Sequence, residues 1–315
     1  MSGKILCIFR KQPFTNTWAF GQLGYTLRWF INHVNQTAFS TYVAIGDSLT
    51  EGLGDETFKQ NRVHNGWADR LAHLLAEDAR RVHTRFEFAN LAVRGSKTRT
   101  ILGPQLDAAL ALKPDLLTIM TGANDILGGK RDYARVEELL EFALQRIGET
   151  DTRVVLANLA SPGHIAVART LRSRTKRMSQ LINRVAAKHG IAVIDLQGMA
   201  EFGRLDHWCE DMAHFSALGH SLIANRAAQL LGSAHRYTDG VAGDENLGGK
   251  RKPIQVVSWL KRDVWPFVLR RLQGKTSGDG LVAKLPVLTS FYAPAAYAEA
   301  IRSEMATKTA LQSSR

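Results

Sequence analysis

Four short stretches of this chain hold residue types that together could open an acyl bond. They are Gly46-Asp47-Ser48-Leu49, Arg94-Gly95-Ser96, Gly122-Ala123-Asn124-Asp125 and Asp211-Met212-Ala213-His214. Acyl transfer to a serine needs a hydroxyl, a base within hydrogen-bond reach, a carboxylate that fixes the base's tautomer, and donors aimed at the developing oxyanion. Ser48 supplies a hydroxyl. Asp211 and His214 can meet across one turn, with the carboxylate on one ring nitrogen and the other nitrogen facing Ser48. The candidate donors are the backbone N–H of Ser48, the backbone N–H of Gly95, where no side chain blocks close approach, and the side-chain amide of Asn124. Each stretch also has a local reading. Ser48 can be the N-cap of a helix, Gly95 a turn glycine, Asn124 and Asp125 helix caps, and His214 a surface residue before a helix. It is their joint fit to one device that favours chemistry.

Two other histidines compete less well for the role of base. His220 falls inside a predicted helix and reads as a structural hydrogen-bonding residue, and His164 follows Ser161-Pro162-Gly163, an ordinary loop sequence. Asp211, His214 and His220 form no complete ligand motif, so neither a metal nor a cofactor is expected. Cys7 and Cys209 match no disulfide framework or zinc spacing, which suits a reducing, cytoplasmic compartment.

The elements that must position these residues alternate along the chain. Apolar runs of strand length at 41–45, 84–91, 114–120, 152–159 and 191–196 are separated by helical patterns near 65–80, 98–112, 131–149 and 166–189, and a last helix runs over 216–232. In the helix near 131–149, Val136, Leu139, Leu140, Phe142, Ala143 and Ile147 recur at helical spacing. This alternation predicts an α/β domain of three layers, a five-stranded parallel sheet with helices on both faces. Ser48, Gly95 and Asn124 then follow the C-terminal ends of the first three strands, the edge where open parallel sheets bind ligands.

The four stretches resemble the four blocks of the SGNH (GDSL) hydrolase family, in that family's order and at its usual distances, over roughly residues 41–232. The resemblance implies a flavodoxin-like sheet and metal-free hydrolysis of esters or thioesters. By position it implies Ser48 as nucleophile, Gly95 and Asn124 completing an oxyanion hole with Ser48, His214 as base and Asp211 as its orienting acid. Many members carry proline after the histidine; Phe215 here is expected to reshape the wall beside the acyl group. The G-x-S-x-G elbow of α/β-hydrolases is absent around Ser48.

The net charge of +12 sits mainly in the flanks. Residues 1–40 hold four basic residues and no acid, and 233–315 hold 13 basic and 7 acidic residues, leaving the middle nearly neutral. A nucleic-acid surface would need that charge on the folded domain, so no nucleic-acid partner is expected. Residues 1–40 read as an N-terminal extension, with an amphipathic helix expected to lie on the domain; the apolar part is too short and broken for a membrane span and lacks the pattern of a secretory signal. Residues 233–249 read as a linker. Residues 250–315 read as a basic amphipathic extension that turns irregular and then weakly helical after 276. Its 250–272 part could lie on an anionic membrane surface or dock as helices on the domain. The expected function is a serine hydrolase that cleaves a small-molecule carboxylic ester, lipid or short acyl, through an acyl-enzyme on Ser48. The alternative is a non-catalytic, membrane-associated lipid-binding module that uses the basic extension.

Overall fold

The strand β1, Thr41–Ile45, runs through the middle of a six-stranded sheet, with Tyr42 to Ile45 fully buried. A computed structural model describes residues 38–55, 65–127, 131–161, 169–236, 278 and 280–291 of the chain. In chain order β1 is followed by helix α1 (Ser48–Glu51), α2 (Trp67–Arg81), β2 (Glu87–Asn90), α3 (Thr98–Thr100), a π-helical turn (Ile101–Gln105) and α4 (Leu106–Ala111). Next come β3 (Leu116–Met120), α5 (Ala123–Ile126), α6 (Tyr133–Gly148), β4 (Arg153–Ala157), α7 (Arg169–Lys188) and β5 (Ala192–Ile194). Two 3₁₀ turns, Ala200–Gly203 and Leu205–His207, lead to α8 (Ala217–Leu230), and β6 (Leu285–Ser290) closes the series.

Strand order is β5-β4-β3-β1-β2-β6, with the first five parallel and β6 antiparallel to β2. Alternation along each strand splits the core into two layers. Val43, Ile45, Leu117 and Ile119 point to the face covered by the π-helical turn, α4, α6 and α7, where Leu106, Leu140 and Ile182 pack. Tyr42, Ala44, Leu116 and Met120 point to the other face, under Trp67 and Leu71 of α2 and Ile223 and Ala224 of α8. The connection after β1 therefore leaves toward one face and that after β3 toward the other. In such sheets ligands bind at the C-terminal ends of strands whose connections part in this way, and Ser48 and Asn124 follow those ends.

The expected α/β layers and all five parallel strands are present, β1 with the expected bounds and the other four shorter than their apolar runs. The sixth strand corrects the expectation that residues after 276 are irregular. Phe88 pairs with Thr289, and Phe291 packs its ring 5.9 Å from that of Phe88 and 6.2 Å from that of Phe86. Pro286 is tolerated because β6 is an edge strand that leaves one side of its ladder unpaired. Lys284, at the start of this segment, is buried and donates to Asp69 Oδ2 at 2.6 Å and to the Glu51 carbonyl at 2.7 Å. The helix expected over 98–112 is present as one helical run over 98–111, its middle turn, Ile101–Gln105, widened to π-helical geometry around Pro104. Of the apolar residues that recur at helical spacing in α6, Phe142 is 58% exposed, with the Arg146 guanidinium 5.8 Å from its ring centre. Residues 1–37, the start of the helix expected from 166, His164, most of the expected linker and the basic pattern at 250–272 lie outside the described residues. Among the described residues, no helix is long and apolar enough to cross a membrane.

Candidate active site

The turn after β1 is shaped by close packing. A Cβ on Gly46 would stand 2.4 Å from Thr50 Oγ1 and 3.0 Å from the Met120 carbonyl oxygen, so only glycine fits. Asp47 next caps α1, its Oδ1 accepting the Leu49 N–H at 3.1 Å. The cap is thus Asp47, and Ser48 is the first helical residue, half-buried, with a backbone N–H that has no acceptor within the helix. Its hydroxyl donates to His214 Nε2 at 3.0 Å, joining positions 166 residues apart.

His214 is held by its own loop. Trp208 and Phe215 form an antiparallel bridge, and Cys209 N–H donates to the His214 carbonyl at 2.8 Å. Between them Met212 takes a positive φ of 59°, which turns the chain back on itself. Asp211 Oδ1 accepts the backbone N–H groups of Ala213 and His214, both at 3.0 Å, and Oδ2 accepts His214 Nδ1–H at 2.5 Å. One carboxylate therefore shapes the turn and fixes the tautomer that leaves Nε2 free to take a proton from Ser48. Burial raises the Asp211 pKa, but the hydrogen bond and charge of His214 and the two backbone donors outweigh it and hold the carboxyl at about 2. Arg70 of α2 donates to the Ala217 carbonyl at 2.7 Å and ties down the start of α8, three residues after His214.

Phe215 does not form a wall beside Ser48. It is 1% exposed and packs in the core, its ring tilted against those of Phe202 and Trp208 at 5.0 Å between centres, because the antiparallel bridge turns it inward. His220 is also buried, as expected of a structural residue. Its Nδ1 accepts the Trp67 N–H at 3.1 Å and its Nε2–H donates to the Leu53 carbonyl at 3.1 Å. Burial, and then the charge of Arg70, push its pKa well below the usual histidine value, so it stays neutral. Among the described residues no group of three or more acidic, histidine or cysteine side chains is arranged to hold a metal.

The second and third stretches meet through Asn124, which also reaches Asp47 beside Ser48. Gly95 has a φ of 77°, a left-handed conformation open to glycine. The residue before it is anchored from α1: Arg94 N–H donates to Glu51 Oε2 at 2.7 Å, while the Arg94 guanidinium pairs with the same carboxylate. Asn124 is buried, and its Nδ2 donates to Asp47 Oδ2 at 3.0 Å and to the Ser96 carbonyl at 3.1 Å. The amide expected to face an oxyanion is therefore shared with groups on the two neighbouring loops. Asp125 accepts Thr98 N–H at 3.0 Å and Thr98 Oγ1–H at 2.9 Å, tying the same loops together from outside. Asp47 is 1% exposed, and burial, partly offset by the Leu49 N–H, His214 and Asn124, raises its pKa to about 6. Sequence reasoning used Asp47 only as part of a motif and missed Glu51 altogether. The capping bond of Asp47 to Leu49 is local, but its bond to Asn124 and that of Glu51 to Arg94 reach across more than forty positions, and no local pattern signals them.

All four stretches fall within residues 44–222, which match the model of the GDSL-like lipase/acylhydrolase family. The chain belongs to that family. It is accordingly an enzyme of the esterase and lipase class, acting on small-molecule esters. Among solved structures it is similar to LAE5, an α/β hydrolase enzyme from the metagenome of Lake Arreo, Spain. The two are 25% identical with a TM-score of 0.52, over 64% of this chain and 98% of that one. A variant of Axe2, an acetyl xylan esterase from Geobacillus stearothermophilus, is 19% identical with a TM-score of 0.53, over 64% of this chain and 100% of that one, a likeness of fold. No curated protein matches the chain.

Proposed function

We infer that this GDSL-type hydrolase cleaves a carboxylic ester through an acyl-enzyme on Ser48. The observation that carries the reading is the continuous relay in which Asp211 Oδ2 holds His214 Nδ1 at 2.5 Å and His214 Nε2 holds Ser48 Oγ at 3.0 Å. Ser48 Oγ attacks the carbonyl carbon as its proton passes to His214 Nε2, and the carbonyl π pair moves onto oxygen. Collapse of this tetrahedral species breaks the bond to the alcohol oxygen, which takes the proton from His214. Water then repeats the sequence on the acyl-serine: His214 removes its proton, the acid is released and Ser48 regains its hydrogen. The oxyanion is met by the N–H groups of Ser48 and Gly95 and by the Asn124 amide, which turns part of its bonding from Ser96 or Asp47 toward the new charge.

The acyl group in this reading is that of a lipid or a short-chain ester, and a p-nitrophenyl series from acetate to decanoate ranks the two. In the same assay Ser48→Ala and His214→Ala should each lower kcat by several orders of magnitude, by analogy with other serine triads. A Ser48→Ala protein turning over acetate or decanoate at the wild-type rate would refute the reading.

A further inference from the structure

Gln105 lies in none of the four stretches that carry the chemistry, yet its side chain joins two of them. Its Oε1 accepts the Gly46 N–H at 2.9 Å, and its Nε2 donates to the Gly46 carbonyl at 3.1 Å and to Ser96 Oγ at 3.2 Å. One primary amide thus pairs with both polar backbone groups of Gly46, as a neighbouring strand would, and has a hydrogen left for Ser96. Gly46 lies two residues before Ser48, and Ser96 lies one residue after Gly95. The three bonds therefore tie together the two backbone segments whose N–H groups the acyl-enzyme reading assigns to the oxyanion, and the carbonyl of Ser96 in turn receives the Asn124 amide.

The cause of this placement is local. Pro104 has no N–H, and its ring excludes the carbonyl four residues back, so an α-helical turn cannot pass through it unstrained. The turn Ile101–Gln105 widens to π-helical geometry, and Leu106 N–H reaches the Ile101 carbonyl. The extra residue lets consecutive side chains face inward, with Leu106 filling the core at 0% exposure and Gln105 reaching Gly46 at 8%. Such turns recur at functional sites.

We propose that Gln105 is a positioning residue of the active site, holding the Ser48 and Gly95 backbone amides at the spacing that a tetrahedral oxyanion requires. The proposal rests on the acyl-enzyme reading above. A purely structural amide would support ground and transition states alike. A positioning amide acts where the oxyanion forms, so its loss falls on kcat and spares KM.

The test uses Gln105→Met and Gln105→Glu with a p-nitrophenyl ester, with competent sites counted by titration to completion with a fluorophosphonate. Gln105→Met should titrate to full stoichiometry, keep KM within about threefold and lose about 10- to 100-fold in kcat, less than the loss of a whole donor. In Gln105→Glu an ionised carboxylate faces the Gly46 carbonyl, whereas the protonated acid can donate to it. The ratio of its kcat to that of wild type should therefore rise as pH falls from about 8 to about 5, whatever His214 contributes to both proteins. An unchanged kcat in Gln105→Met, or a ratio that stays flat with pH in Gln105→Glu, overturns the proposal; if Gln105→Met does not fold, the pH ratio decides alone. A Ser48→Ala control separates the two claims. Wild-type turnover there removes the acyl-enzyme reading and this inference together, whereas full dependence on Ser48 beside an unaffected Gln105→Met removes only the inference.

Discussion

Replacing Asp47 with asparagine should change the stability of this enzyme in opposite directions at neutral and acidic pH. The wild-type carboxyl is 1% exposed and held at about 6, against an ordinary value of 3.8. At about 1.4 kcal/mol per pH unit, keeping it ionised costs the fold about 3 kcal/mol. Because its folded pKa is raised, the folded state binds the proton more tightly than the unfolded state. Stability therefore falls as pH rises from about 4 to about 6, and the cost is felt in full above that range. Asp47→Asn removes the charge at every pH. Its single carbonyl, however, can serve only one of the two donors that Asp47 accepts, Leu49 N–H and Asn124 Nδ2. An unmet buried donor costs about 1–3 kcal/mol. The net expectation is a variant up to about 2 kcal/mol more stable than wild type near pH 7.5 and about 1–3 kcal/mol less stable near pH 4. Urea unfolding at the two pH values measures both differences. Activity should fall at neutral pH, because Asn124 loses an anionic partner, by no more than the 10²- to 10³-fold of a whole oxyanion donor. A stability difference of the same size at both pH values would refute the reasoning, since it would mean that burial does not hold the Asp47 carboxyl up.

Three other outcomes follow from the same contacts. Lys284→Ala leaves Asp69 buried without its 2.6 Å cation and should cost about 3–5 kcal/mol in urea unfolding, although position 284 is far from the catalytic stretches in sequence. Asp211→Asn should lower kcat by about 10⁴-fold while KM changes little, as loss of the correct imidazole tautomer does in other triads. Because the folded Asp211 pKa is depressed to about 2, its stabilising effect is present above about pH 4 and is lost as pH falls toward 2, so acid unfolding of the variant should lack that component. Asn124→Ala should cost about 10²- to 10³-fold in kcat, read from steady-state kinetics on a p-nitrophenyl ester.

Much of the architecture was legible in the chain because it is written in local patterns. The buried parallel strands read as apolar runs, and the helix Tyr133–Gly148 reads from Val136, Leu140 and Ile147. That the side chains of Ser48, Asp211 and His214 meet was legible as well, since each stands beside residues that shape its own turn. What escaped notice depends on pairing across distance. The strand Leu285–Ser290 contains a proline and joins the sheet only by docking on β2, nearly two hundred residues earlier. Phe142 carries an apolar residue's pattern but sits on the outer face of its helix. Phe215 departs from a motif position, and the bridge to Trp208, rather than the pocket, decides where it points. Gln105, Glu51 and Lys284 are polar residues in helical or irregular stretches, where sequence reads them as solvated surface. Each becomes informative only when the backbone group it binds is known.

The most direct test of the acyl-enzyme is to catch it. Wild-type protein mixed with excess p-nitrophenyl ester and quenched in acid within the first turnovers should gain the mass of one acyl group, mapped by peptide fragmentation to the hydroxyl of Ser48. The Ser48→Ala protein should gain none and release no p-nitrophenol above background. An acyl group mapped to another residue, or sustained hydrolysis by the Ser48→Ala protein, would contradict the account.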